Sequence, residues 1–111
     1  MVAWTIPDLV DYYERRVEGL EDKAYSDYWE DEALLLLTAR DEIHDRWHEL
    51  DPEQRSRILA LDERLVKKYR RIARYGPVPN PNVTDRARWW WFLHKGPRVR
   101  EKALAEARRA S

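Results

Sequence analysis

A chain of 111 residues, with 21 acidic and 21 basic side chains, is long enough for one domain that buries roughly two thirds of its unfolded surface. It contains no cysteine, which excludes disulfides, thiol catalysis and every cysteine-ligated metal site. The longest apolar run, ALLLLTA at 33–39, falls far short of the ~20 residues that span a bilayer. The N-terminus also lacks the basic-then-apolar pattern of a signal peptide, so a cytoplasmic location with no membrane span is expected.

The formal net charge is zero, and that zero hides an asymmetry. Residues 1–53 carry 16 Asp and Glu against 5 Lys and Arg, whereas residues 54–111 carry 5 against 16. Such halves either recognise one another or leave the basic one for a polyanion.

Helix signals dominate from the start of the chain. In WTIPDL, Thr5 reads as an N-cap with Asp8 three residues on, and Trp4 before the cap is placed to staple against Leu9. Leu9, Tyr13, Val17, Leu20 and Ala24 recur at steps of three and four as one apolar stripe, and Gly19 weakens the helix and favours an early end. A second helix is expected from Asp27, with Glu30 as box partner, to about Leu50. Its inner face is Trp29, Ala33, Leu36, Ile43, Trp47 and Leu50. The four leucines 34–37 spread apolar surface around its whole circumference, which predicts a central helix with neighbours on several sides.

LDPEQ ends that helix and opens the next, with Asp51 as N-cap, Pro52 at the first helical position and Gln54 as reciprocal partner. A hairpin is the expected result, with one long kinked helix as the alternative. The third helix should run to about residue 75 on a stripe of Ile58, Leu61, Leu65, Tyr69 and Ile72, widened by Leu59, Val66 and Ala73. Residues 76–84, with three prolines in GPVPNPN, form an extended connector. Thr84 then caps a short helix holding Trp89, Trp90, Trp91 and Phe92, which Gly96-Pro97 ends. The tail 98–111 has high helix propensity on a thin apolar face of Val99, Ala103 and Ala107, the pattern of a helix that frays or needs a partner. The fold class is therefore all-α. The expectation is a single domain over 1–111 of four to five helices: three antiparallel helices, the connector, a short aromatic helix and a C-terminal helix.

Few catalytic templates survive. The three glycines, at 19, 76 and 96, stand too far apart for a phosphate loop, and no motif surrounds Ser26, Ser56 or Ser111. The best-spaced metal candidates are Asp41, His44 and His48 in DEIHDRWH, which fall within about 60° of one another on a helix. The competing reading, boundary histidines bonded to neighbouring acids, is preferred, so no metal or other cofactor is expected. The stretch RWWWFLH, with five residues between Arg88 and His94, resembles the Arg-to-His signature of the helical HEPN-type ribonucleases. Trp89 stands where those proteins carry a polar residue. The resemblance spans seven positions and implies a dimer whose paired arginine and histidine cleave RNA.

Two broader readings use the second half of the chain. Arg57, Arg64, Lys67, Lys68, Arg70, Arg71 and Arg74 share the side of the third helix opposite its stripe, and Arg86 and Arg88 flank the tryptophans. Basic residues interleaved with aromatics suit single-stranded nucleic acid. Alternatively, acidic and basic helices pair with one another. Trp89, Trp90, Trp91 and Phe92 then anchor a protein interface, since Trp and Arg dominate interface hot spots and monomers seldom leave a large apolar patch bare. On an α-helix or a strand four consecutive aromatics cannot all face one core. The expectation is a non-enzymatic interaction protein that binds itself or another protein through this segment. Nucleic-acid binding is the alternative, and a metal-binding or HEPN-like ribonuclease site comes third.

Overall fold

The computed structural model describes residues 4–19, 29–68 and 87–110, apart from the side chains of 29–33, 94 and 110. These residues form an all-α structure with no strand among them. Helix α1 spans Ile6–Gly19, α2 Trp29–Asp45, α3 Pro52–Lys67 and α4 Val99–Ala110. A 3₁₀ turn covers Trp47–Glu49, and a 3₁₀ helix covers Trp89–Lys95. The Cα radius of gyration, 13.7 Å, is close to the ~13 Å expected of a compact chain of this length. Among the described residues no helix is long and apolar enough to cross a membrane.

The local signals that start helices act as expected. Thr5 Oγ1 accepts the Asp8 N–H at 3.3 Å, and α1 buries Leu9, Val10, Tyr13 and Val17. Trp4 departs from expectation. It is 43 % exposed, and its ring lies 4.9 Å from that of Tyr12 instead of stapling to Leu9. Leu9 is drawn into the core, and the Trp4 carbonyl is held by Arg46 Nη1 at 2.7 Å, which leaves the indole to lie along the outside of α1. At the α2–α3 junction, Gln54 N–H donates to Asp51 Oδ1 at 2.8 Å and Asp51 N–H donates to Gln54 Oε1 at 2.9 Å, with Pro52 in the first turn. The capping box thus opens α3 as a separate helix.

Helix α2 stops earlier than its apolar period suggests. Glu49 N–H and Leu50 N–H bond to the carbonyls of Arg46 and Trp47 at 2.9 and 3.1 Å, the tighter i to i+3 pattern. Arg55 Nη2 reaches the Trp47 carbonyl at 3.1 Å, satisfying an acceptor at the helix end. The extra winding turns Leu50, 3 % exposed, into the core ahead of the bend.

Cross-contacts fix the directions. Arg46 near the end of α2 meets Trp4 at the start of α1, while Arg40 meets Asp62 and Trp47 meets Arg55. So α2 runs antiparallel to both neighbours, and α1 and α3 lie parallel across it. Acidic α1 then faces basic α3. Arg57 binds Asp11 at 2.9 Å and both oxygens of Glu14, and Arg64 reaches Glu18 at 3.4 Å. Lys68 Nζ donates to the Val17 carbonyl at 3.0 Å.

Two expectations about the core need correction. Leu36 and Leu37 are buried, but Leu34 and Leu35 are 42 and 45 % exposed, so α2 has α1, α3 and the tryptophan-bearing segment as neighbours yet stays uncovered on one side. On α3, Ile58, Leu61 and Leu65 are buried as expected, while Leu59 is 44 % exposed and Asp62 is 1 % exposed. The reason lies opposite Asp62. Arg40, 5 % exposed, makes a two-pronged ion pair from Nε to Oδ1 at 2.9 Å and from Nη2 to Oδ2 at 3.0 Å, and Tyr13 Oη donates to Oδ1 at 2.6 Å. Three helices therefore meet on one carboxylate. Helix α3 ends at Lys67 with Lys68 as its C-cap, short of the expected 75. The proposed cap residue Asp27, stripe members Leu20, Ala24, Tyr69, Ile72 and Ala73, the connector 76–84 and the Thr84 cap lie outside the described residues, as do the side chains of Trp29, Glu30 and Ala33.

Removing one partner of a buried ion pair strands the other charge, so Asp62→Ala should lower the free energy of unfolding by about 3–5 kcal/mol. Replacing both, as Arg40→Met with Asp62→Leu, should cost less than the single change, read from urea midpoints. The rim pair has a pH signature. The hydrogen bond from Arg57 holds the Glu14 carboxyl below its ordinary value of 4.5, against the opposing effect of burial. A depressed folded pKa gives stability that is complete above the unfolded value and lost as pH falls through the folded one. Carboxyl NMR titration should therefore place Glu14 below its ordinary value, and Arg57→Gln should raise it towards that value.

Candidate functional site

The tryptophan segment resolves its crowding by leaving α geometry. Residues 89–95 wind as a 3₁₀ helix, held by Trp91 N–H to the Arg88 carbonyl at 3.1 Å and Gly96 N–H to the Leu93 carbonyl at 3.0 Å. At three residues per turn, side chains at i and i+3 eclipse, so the segment has three edges and not four scattered directions. Trp90 and Leu93, each 1 % exposed, form the edge sunk in the core. Trp89, Phe92 and Lys95 form the second edge and Trp91 belongs to the third. Gly96, at φ 120°, occupies a backbone region that side chains disfavour and turns the chain into α4.

The three indoles are enclosed by the chain itself. Trp89, Trp90 and Trp91 are 4, 1 and 6 % exposed, so they are core residues and do not present the apolar patch expected of a free interface. Burying each is worth roughly 4–6 kcal/mol at 25 cal/mol per Å². The polar edges of two of them are met by Asp41: its Oδ1 accepts Trp90 Nε1 at 2.9 Å and Trp91 Nε1 at 2.8 Å, besides Arg88 Nη1 at 3.0 Å. Arg88 Nη2 also donates to Asp45 at 2.6 Å. Arg40 lies over the Trp90 ring at 4.4 Å, which ties the segment to the Asp62 cluster. Of the four aromatics, only Phe92 reaches the surface, half-buried beneath Lys95 Nζ at 5.4 Å.

These contacts place the residues singled out by sequence. Asp41 is engaged by three donors, half-buried His44 packs its ring 5.5 Å from that of Trp90, and His48 points to solvent from the 3₁₀ turn. The break at Asp45 destroys the helical spacing that aligned the histidines, and among the described residues no cluster of three metal-ligating side chains forms. Arg88 of the ribonuclease-like pair is bound to Asp41 and Asp45, and the side chain of His94 lies outside the described residues. Of the basic set, Arg57, Arg64 and Arg88 pair with acids and Lys68 with a carbonyl. Lys67 is exposed, and Arg70, Arg71, Arg74 and Arg86 lie outside the described residues. The basic side of α3 is in this part the rim of the α1–α3 contact.

Sequence reasoning missed Arg40, Asp62 and the role of Asp41. A usable signal existed for the first two: Asp62 interrupts Ile58, Leu61 and Leu65, and Arg40 interrupts Leu36 and Ile43, so opposite charges stand on two apolar stripes. It also missed an open pocket of about 240 Å³ between the Trp89–Phe92–Lys95 edge and the Val99–Lys102–Ala103–Glu106 face of α4, with Arg98 at its rim.

Asp41→Ala should leave two indole N–H groups without acceptors, at roughly 1–3 kcal/mol each. A fall of at least about 2 kcal/mol in unfolding free energy, with altered tryptophan emission, is expected. Asp45→Ala, which removes only the exposed half of the Arg88 pair, should cost less than about 1 kcal/mol. Compared with known proteins, the chain matches no family model, no curated protein and no solved structure, so any function rests on the geometry above.

Proposed function

We propose that the protein is a non-enzymatic helical interaction protein that self-associates, and that its contact surface is the outer side of α2 in place of the tryptophans. The observation that carries this is the adjacent pair Leu34 and Leu35, each more than two-fifths exposed in the middle of a helix whose other leucines are buried. Adjacent exposed leucines lose unfavourable hydration when a neighbour covers them, at about 25 cal/mol per Å². The charged groups do not call for a second copy, because α1 acids and α3 bases already satisfy one another within the chain.

A non-enzymatic reading is supported by how the polar groups are used. Tyr13, Arg40, Asp41, Asp62 and Arg88 all serve internal bonds. Burial, followed by the nearby Asp62 charge, pushes the Tyr13 hydroxyl well above its ordinary value and keeps it a donor. The tryptophan segment then has the role of core pillar. The nucleic-acid alternative has less behind it, since the described arginines of its proposed face are held in ion pairs.

Sedimentation over about 10–300 μM, a range that captures micromolar association, should give masses rising above the 13.5 kDa of one chain. Leu35→Glu should return the mass to one chain without lowering thermal stability, whereas Leu59→Glu on α3 should leave association intact. A single-chain mass at every concentration would overturn the proposal.

A further inference from the structure

The pocket between the tryptophan segment and α4 has two chemically distinct parts. Trp89 and Phe92 supply aromatic surface and Val99 and Ala103 aliphatic surface, which suits one ring-sized apolar body. Lys95, Arg98 and Lys102 stand around it with a single acid, Glu106. The arrangement follows from two helical periods. The 3₁₀ repeat brings residues 89, 92 and 95 to one edge, and the α repeat brings 99, 102, 103 and 106 to one face.

The cations here differ from those of the α1–α3 rim. Arg57 and Arg64 are neutralised by acids of α1, whereas the side chains of Arg98 and Lys102 make no ion pair among the described residues. Three cations against one carboxylate leave the mouth with a formal charge of about +2. That balances a phosphate monoester, about −1.5 to −2 at neutral pH, better than a singly charged carboxylate. Val99, the first residue of α4, lines the same pocket, so the positive end of the helix dipole adds to the field. At about 240 Å³ the space lies below the ~300–1,000 Å³ of pockets for drug-sized ligands, which limits the apolar body to about one ring system.

We propose that this pocket binds a small aromatic phosphate monoester, the ring packed against Phe92 and Trp89 and the phosphate held by Lys95, Arg98 and Lys102. The same chemistry is offered by a free nucleotide-like metabolite and by the phosphorylated end of a single strand. Neither self-association nor the face of α2 enters this inference.

Calorimetric or NMR titration of the full chain with phenyl phosphate tests it, with phenol and inorganic phosphate as its two halves. Phenyl phosphate should bind at least about tenfold more tightly than either half, the ratio that 1.4 kcal/mol provides, and the shifted amide signals should cluster at residues 89–106. Lys102→Glu should weaken binding by about tenfold or more, since it reverses a charge placed to contact the phosphate, while Lys67→Glu, at another exposed lysine on α3, should not. Adenosine monophosphate compared with a short 5′-phosphorylated oligonucleotide separates the two sources: equal affinity assigns the free molecule, and much tighter binding of the oligonucleotide assigns the strand end. Phenyl phosphate that binds no better than inorganic phosphate, or equal effects of the two lysine variants, would overturn the proposal.

Discussion

One carboxylate sets the relation of the first three helices. Asp62 on α3 takes Tyr13 from α1 and both prongs of Arg40 from α2 while almost entirely removed from water. Apolar stripes alone would let these helices slide or rotate by a turn at modest cost. A buried ion pair with a third donor tolerates no such shift, because moving any one helix leaves a charge or a hydroxyl dry and unpaired. The cluster is therefore better understood as a fixer of register than as a source of net stability. The remaining guanidinium nitrogen, Arg40 Nη1, is buried without a hydrogen-bond partner. The guanidinium carbon lies 4.4 Å from the centre of the Trp90 ring, whose π face offers some compensation for a charge.

That stacked arginine connects the register of the bundle to the tryptophan segment. Trp90 packs on Arg40, and its indole N–H goes to Asp41, the next residue of α2. Adjacent residues of one helix thus serve two different neighbours. Asp41 receives Trp90, Trp91 and Arg88 together, so the segment docks through a charged acceptor that an aliphatic helix face could not provide. The opposite charges of the two halves of the chain find their use in the same way. Among the described residues, Asp11, Glu14 and Glu18 of α1 meet Arg57 and Arg64 of α3, and Asp41 and Asp45 of α2 meet Arg88.

With the indoles and Arg40, Arg57, Arg64 and Arg88 so committed, what the packing leaves outside is where a partner or ligand can bind. The outer leucines of α2 and the cation-rimmed pocket beside α4 are both products of tertiary structure, and they lie on different elements. One is apolar and suits a neighbour that removes it from water. The other combines aromatic surface with uncompensated positive charge and suits a small anion.

The elements themselves were legible in the sequence because their signals are local. Thr5, Asp51, Pro52 and Gln54 act within three or four residues, and the periods of Leu9, Tyr13 and Val17 or of Ile58, Leu61 and Leu65 describe single helices whatever surrounds them. Tertiary structure decided which polar residues went inside and which apolar ones stayed out. Nothing within α2 distinguishes Leu34 from Leu36 until α1 covers one side, and Asp62 is tolerable in a core only where Arg40 and Tyr13 meet it from other helices. The tryptophans show the same division. Their number announced an unusual segment, but Trp90 and Trp91 dock on an acceptor at Asp41, some fifty residues earlier in the chain, a packing of elements that no local pattern records.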